Sequence, residues 1–90
     1  MITIYGTDGC LACLKAKQCA EIFELEHEYI SLARADIETK KKFYQIDTHF
    51  GMVPQIVWGD DIIVGLADFE KRVNEFLQKE TDNGSQTKSP

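Results

Sequence analysis

The stretch that decides the fold follows a short apolar run, residues 1–5, and reads Thr7-Asp8-Gly9-Cys10-Leu11-Ala12-Cys13. The run has the β-branched and aromatic content of a strand. From Leu11 onward the apolar residues recur at helical spacing, which predicts a helix over residues 11–25. The two cysteines of this Cys-x-x-Cys therefore stand where a strand is followed by a helix.

This position gives the cysteine pair a specific chemistry. Residues i and i+3 of a helix lie about 5–6 Å apart at Cβ, so two sulfurs there can bond after small adjustments. Free amide N–H groups of the first helical turn would favour a thiolate at Cys10, and such settings lower a cysteine pKa from about 8.5 toward 7 or below. Because the thiolate is the nucleophile of disulfide exchange, we expect Cys10 to attack and Cys13 to resolve the mixed disulfide.

Two other interpretations of the pair stay open. The cysteines could form half of a zinc site, for which Cys19 and His27 are the nearby additional ligands. They could also form a structural disulfide, although it would close only a very small loop. Since no second Cys-x-x-Cys is present, we expect no metal.

Composition limits the classes of function. The 90 residues suit one domain, and ten basic against fifteen acidic residues give a net charge of −5. That balance, without a basic stripe, argues against nucleic-acid binding. No apolar stretch is long enough for a signal or a membrane span. We therefore expect a cytoplasmic protein, in a compartment where thiols are kept reduced. We also expect a monomer.

The rest of the chain predicts five further elements. Residues 28–32 are strand-like, and a helix over residues 37–49 follows the N-cap Asp36 and ends near Gly51. Residues 52–58 and 62–64 form a hairpin, and residues 67–79 form the last helix. The order β-α-β-α-β-β-α predicts an α/β domain over residues 1–79, with a mixed four-stranded sheet flanked by helices and a parallel first pair. Residues 80–90 contain no hydrophobic residue, which predicts a disordered tail.

Three motifs together resemble the glutaredoxins. They are Ile-Tyr-x-x-x-x-Cys-x-x-Cys at residues 4–13, Val-Pro-Gln-Ile at residues 53–56 and Gly-x-x-Asp at residues 65–68. The smaller redoxins that serve ribonucleotide reductase are a close second. The resemblance covers residues 1–79 and implies the thioredoxin-like fold in its minimal form. It also implies that Cys10 is the nucleophile and Cys13 the resolving thiol.

The resemblance further implies a substrate groove. Pro54 would be a cis proline facing the dithiol, and the backbone of Val53 would pair with a bound peptide. A turn before the last helix would close the other side. The implied substrate- or glutathione-binding residues are Thr7, Leu11, Ala12, Met52, Val53, Pro54, Gly65, Leu66, Ala67 and Asp68.

Several positions depart from the glutaredoxin pattern. Thr7 stands where a basic residue commonly holds glutathione, Leu11-Ala12 lacks the usual aromatic, and Met52 replaces a threonine. The turn before the last helix has lost one glycine and one acid. Asp8 adds a negative charge near Cys10, which would raise the pKa of that thiol. We therefore expect weaker glutathione binding than in a typical member, with a protein substrate favoured.

The resulting hypothesis is a dithiol–disulfide oxidoreductase that reduces protein or glutathione mixed disulfides and could serve as hydrogen donor to ribonucleotide reductase. Glutathione is the expected reductant, with a thioredoxin reductase as the alternative. A second hypothesis, which the resemblance permits, is a non-catalytic protein that holds an iron–sulfur cluster between two chains through Cys10.

Overall fold

A four-stranded sheet is the frame on which the cysteine pair is placed. The computed structural model describes residues 1–46 and 52–85, with residues 80–85 as backbone only. The strands are β1 (Ile2–Gly6), β2 (His27–Ser31), β3 (Gln55–Trp58) and β4 (Asp61–Val64). The helices are α1 (Leu11–Ile22), α2 (Ile37–Ile46) and α3 (Leu66–Ser85). This element order confirms the predicted α/β fold.

The sheet has the strand order β2-β1-β3-β4. β1 pairs in parallel with β2, with Ile4 opposite Tyr29, because α1 crosses over between them. β3 lies antiparallel to β1 and to β4, so the predicted parallel pair and hairpin are both confirmed. The consequence for function is that the loop after β1 leaves from a central strand of the sheet.

The two faces of the sheet are covered by different helices. Side chains alternate along β1, so Ile2 and Ile4 point to one face, where α1 and α3 pack. The fully or nearly fully buried residues of this core are Ile2, Ile4, Ala16, Ala20, Ile56, Phe69 and Val73. On the other face, Phe43 of α2 packs on Tyr5 with ring centroids 5.1 Å apart. Both faces of β1 are therefore fixed by packing.

Helix α1 ends at Ile22, three residues before the predicted end. Glu24 adopts a left-handed backbone conformation with φ 56°, and the N–H of Leu25 bonds back to the carbonyl of Ala20 at 2.9 Å. This is the hydrogen-bond pattern of a Schellman cap. Apolar spacing continues through Leu25 because Leu25 still packs on the core, which is why the pattern alone overextended the helix.

The other predicted boundaries also shift. β3 begins at Gln55 rather than at residue 52, because Pro54 has no N–H to contribute to the ladder. The predicted last turns of α2 and its end at Gly51 lie outside the described residues.

Helix α3 continues to Ser85, six residues past the predicted end. Its hydrogen bonds are internal to the backbone, so a polar segment can extend an established helix without burying apolar surface. The disordered tail was predicted to begin at Glu80, but the backbone of residues 80–85 belongs to α3. Residues 86–90 of that tail lie outside the described residues. No helix in the described part of the chain combines the length and apolar character needed to cross a membrane.

Candidate active site

The cysteine pair lies at the junction of the β1–α1 loop and the first turn of α1. The Cα atoms of Cys10 and Cys13 are 5.3 Å apart, and their sulfurs are at disulfide-bonding distance. Cys10 is the N-cap residue, with extended backbone, and its Sγ accepts the backbone N–H of Cys13 at 3.1 Å. One free amide group of the first helical turn, that of Cys13, therefore points at the Cys10 sulfur, which is the arrangement that favours a thiolate.

The two sulfurs differ in their access to solvent. Cys13 is 0% exposed, whereas Cys10 is half-buried and lines an open groove. An incoming thiol or disulfide can therefore reach Cys10 but not Cys13. This asymmetry matches an attacking and a resolving cysteine.

The groove beside Cys10 has a volume of about 420 Å³. Its apolar wall includes Leu11, which is 64% exposed, and Leu14, one helical turn beyond Cys10. The ring of Tyr29 closes it from β2. Burial, and then the charge of Asp8, raises the pKa of Tyr29, so its hydroxyl stays protonated at neutral pH. The residues that line the groove are Thr7, Asp8, Gly9, Cys10, Leu11, Leu14 and Tyr29.

Asp8 is held by two partners from the region after β2. Its carboxylate accepts hydrogen bonds from the hydroxyl of Ser31 at 3.1 Å and from Nε of Arg34 at 3.0 Å. These bonds, that from Arg34 first, lower the pKa of Asp8. The negative charge expected near Cys10 is present, but it is paired with a cation that the sequence analysis did not identify.

The Val53–Pro54 peptide bond is cis, as the resemblance implies. The antiparallel register pairs Tyr5 with Gln55, so continuing it by one residue places Pro54 opposite Gly6. A Cβ built on Gly6 would lie only 2.8 Å from the Cβ of Cys13. Pro54 and the cysteine pair therefore lie at the same end of the sheet.

Gly65 lies between β4 and α3 and is hydrogen-bonded to Pro54, the residue before β3. Its N–H donates to the carbonyl of Pro54 at 2.9 Å, and its own carbonyl accepts from Phe69 in the first turn of α3. Gly65 has φ 94°, a conformation that glycine adopts without steric cost. The glycine of the Gly-x-x-Asp motif is thus explained by the backbone it must adopt beside Pro54.

The remaining predicted binding residues do not line this groove. Met52 is exposed, Val53 is half-buried, and Ala12 is half-buried in the first turn of α1. Leu66 packs against the core, and Ala67 is exposed. Asp68 lines a different groove, between β4 and α3. The binding roles of these residues stay predictions.

Sequence reasoning missed Gly6, Leu14, Tyr29, Ser31 and Arg34. Leu14 had a usable signal, since residue i+4 from Cys10 lies on the same helix face. Tyr29 and Arg34 had none, because their proximity to Cys10 depends on the pairing of β1 with β2. The third cysteine, Cys19, lies away from the site, and burial, then Glu70, raises the pKa of its thiol.

The described residues contain no group of three or more His, Cys, Asp or Glu side chains arranged to hold a metal ion. Cys19 and His27 do not complete a zinc site with the pair there. The iron–sulfur hypothesis involves a second chain and stays untested.

Comparison with solved structures gives consistent neighbours. Reduced glutaredoxin from Escherichia coli is 27% identical, with a TM-score of 0.69 over 86% of this chain and 96% of that one. Glutaredoxin 1 from Francisella tularensis, complexed with cacodylate, is 26% identical, with a TM-score of 0.63 over 86% and 95%. The glutaredoxin-like NrdH-redoxin from Escherichia coli is 25% identical, with a TM-score of 0.61 over 80% and 92%. No protein-family model and no curated protein sequence matches the chain.

Proposed function

We propose, on the premise that this chain is a glutaredoxin-like member of the thioredoxin-fold superfamily, that it is a dithiol–disulfide oxidoreductase acting through Cys10. The observation that carries the proposal is the position of the Cys10 sulfur. It accepts an N–H from the first turn of α1 at 3.1 Å and opens onto a groove, while Cys13 behind it is fully buried. The arrangement makes the Cys10 sulfur nucleophilic and accessible and shields the Cys13 sulfur from solvent until a mixed disulfide has formed.

The reaction transfers two electrons from the dithiol to a substrate. The Cys10 thiolate attacks one sulfur of a substrate disulfide, and a new bond forms as the other substrate sulfur leaves as a thiolate that takes up a proton. Cys13 then loses its proton and attacks Cys10 Sγ, which releases the second substrate thiol. The products are a reduced substrate and the Cys10–Cys13 disulfide, and proximity favours this second step.

We propose glutathione as the reductant that restores the dithiol. One glutathione thiolate attacks Cys10 Sγ, and Cys13 leaves and is protonated. A second glutathione attacks the sulfur of the first, which yields oxidised glutathione and the Cys10 thiolate. The glutaredoxin neighbours support this choice, whereas NrdH-redoxin, which is described as having a thioredoxin-like activity profile, supports a thioredoxin reductase as the alternative.

The partners and compartment follow from the same chemistry. Protein disulfides, with that of ribonucleotide reductase as one candidate, are the proposed acceptors. The proposed location is the cytoplasm, because both reductants maintain thiols there. An assay of ribonucleotide reductase with this protein as the only hydrogen donor would test whether that enzyme is an acceptor.

The test of the activity is a comparison of cysteine variants under two reducing systems. NADPH consumption is measured with glutathione plus glutathione reductase, and separately with thioredoxin reductase, using a glutathione mixed disulfide and a protein disulfide as substrates. We expect turnover with glutathione, none for Cys10→Ser, and unchanged turnover for the matched control Cys19→Ser. Cys13→Ser should still reduce the glutathione mixed disulfide but not the protein disulfide.

Two outcomes would contradict the proposal. If Cys10→Ser turned over as fast as the wild type, the nucleophile would be assigned to the wrong sulfur. If neither reducing system supported the wild type, the protein would not be an oxidoreductase of this kind. Turnover with thioredoxin reductase alone would replace glutathione by the alternative reductant.

A further inference from the structure

Asp8 is the charged side chain closest in sequence to Cys10 within the groove, and it is tied to Arg34. The carboxylate lines the same groove as the Cys10 sulfur and accepts from Arg34 Nε at 3.0 Å and from Ser31 Oγ at 3.1 Å. Ser31 is the last residue of β2, and Arg34 follows in the loop before α2. The cation therefore reaches the cysteine loop from a part of the chain more than twenty residues away.

An unpaired Asp8 would work against the chemistry of the site. An aspartate carboxyl is ionised at neutral pH even without these partners, and a nearby like charge disfavours a thiolate. The helix N-terminus favours the thiolate with only a partial positive charge. A full negative charge on the neighbouring loop would oppose much of that effect.

The other charged and titratable groups around the groove do not provide the missing positive charge at Asp8. Apart from Asp8 and Cys10, the titratable side chain that lines the groove is Tyr29, and its hydroxyl is uncharged at neutral pH. Lys17 of α1 lies over the Tyr29 ring, with its Nζ 5.6 Å from the centroid. Among the described residues, Arg34 is the cation that makes an ion pair with Asp8.

We propose that Arg34 is a positioning residue of the redox site, which favours the Cys10 thiolate by cancelling the charge of Asp8. The Arg34 side chain bonds to the Asp8 carboxylate, and among the described residues no hydrogen bond joins it to either sulfur. It acts through Asp8, and the inference takes from the proposed function only that Cys10 is the nucleophile. The role differs from substrate binding, because it predicts an effect on the free enzyme before any substrate arrives.

The expected effect is modest, because both side chains reach solvent. Arg34 is 79% exposed and Asp8 is 54% exposed, so water and salt screen their charges. One unit charge at about 6–10 Å in a water-like medium changes a protonation equilibrium about two- to threefold. That size is measurable, and its dependence on salt separates a charge effect from a purely structural one.

The experiment measures the pH midpoint of Cys10 alkylation by iodoacetamide in the reduced protein. All proteins carry Cys13→Ser and Cys19→Ser, so that Cys10 is the single thiol of the three in the sequence. The set comprises the parent, Arg34→Ala, Asp8→Asn, the double variant and Arg34→Lys. Circular dichroism checks that each is folded, and Arg34→Gln replaces Arg34→Ala if the latter does not fold.

We expect Arg34→Ala to lower the alkylation rate about two- to threefold at a pH below the midpoint, and Asp8→Asn to raise it. The double variant should return to the parent rate, and Arg34→Lys should stay close to it. In 1 M NaCl the differences should shrink. An unchanged rate in Arg34→Ala, or a double variant that keeps the defect of Arg34→Ala, would overturn the proposal. Since alkylation needs no turnover, an inactive enzyme would refute the proposed function without affecting this result.

Discussion

Gly6 is the residue at which packing around the cysteine pair leaves no room for a side chain. It ends β1, is buried, and lies against α1 and β2 together. A Cβ at this position would be 2.8 Å from the Cβ of Cys13 and would collide with the Tyr29 hydroxyl. The absence of a side chain therefore lets Cys13 and the groove residue Tyr29 approach the same point of the strand.

Gly6→Ala should destabilise the protein by about 1–3 kcal/mol, the usual cost of overpacking a core. Urea unfolding at neutral pH measures this free energy. Gly59→Ala is a comparison, because Gly59 has φ 63° but open space around it. Gly59→Ala should cost about 1–2 kcal/mol through backbone strain alone and leave the rate of Cys10 alkylation unchanged. Gly6→Ala should change both the free energy of unfolding and the alkylation rate. If Gly6→Ala unfolded at the same urea concentration as the wild type, Cys13 and Tyr29 would have moved aside at no cost in stability, which would contradict this account.

Helix α2 is capped at its start by the carboxylate of Asp36. Asp36 Oδ1 accepts the backbone N–H of Thr39 at 2.8 Å, which is the hydrogen bond of an N-cap. This hydrogen bond is the main reason why the pKa of Asp36 is lowered. The helix carries Phe43, which is nearly fully buried and covers the second face of β1 through Tyr5. The cap thus fixes the element that covers this face.

Asp36→Ala should lower the urea midpoint at neutral pH, and the difference from the wild type should shrink in acid. Because the folded pKa of Asp36 is lowered, the ionised cap contributes stability above the unfolded carboxyl pKa of about 3.9. That contribution is lost as the pH falls through the folded value. Asp36→Asn is the control, since its side-chain oxygen can still accept the N–H and does not titrate. An undiminished difference between Asp36→Ala and wild type at pH 2 would contradict this account.

At the scale of the whole molecule, stability comes chiefly from the core between the sheet and the α1–α3 layer. Phe69 of α3 is 0% exposed, and its ring centroid lies 6.1 Å from that of Trp58 on β3. The backbone N–H of Phe69 donates to the carbonyl of Gly65, and the N–H of Gly65 donates to the carbonyl of Pro54. Packing of Phe69 therefore connects global stability to the position of Pro54.

Phe69→Ala should reduce the free energy of unfolding by about 3–5 kcal/mol, through lost apolar burial and the cavity left behind. Small domains have only about 5–15 kcal/mol in total, so the variant should unfold at a much lower urea concentration. Ile22→Ala is the matched surface control, because Ile22 is 73% exposed. Its change should stay within about 0.5 kcal/mol. Equal effects of the two substitutions would show that the core is not where the structure places it.

Much of this molecule could be predicted from local sequence. The periodicity of residues 11–25 and the strand-like runs predicted the element order. The resemblance to glutaredoxins, carried by Cys-x-x-Cys and Val-Pro-Gln-Ile, implied the thioredoxin-like fold. Element ends were less predictable. The left-handed Glu24 that ends α1 has no signal comparable to glycine, and the helical backbone of residues 80–85 needs no apolar pattern.

The sequence alone determined that Cys10 begins a helix and Cys13 lies one turn inside it, because those positions depend on neighbours within a few residues. Only the tertiary structure decided what surrounds the pair: Tyr29 over Gly6, Pro54 at the same sheet end, and Arg34 on Asp8, 26 residues away in sequence. These contacts depend on how β1 pairs with β2 and β3. Contacts that strand pairing creates between distant residues do not appear as a periodic pattern in the local sequence.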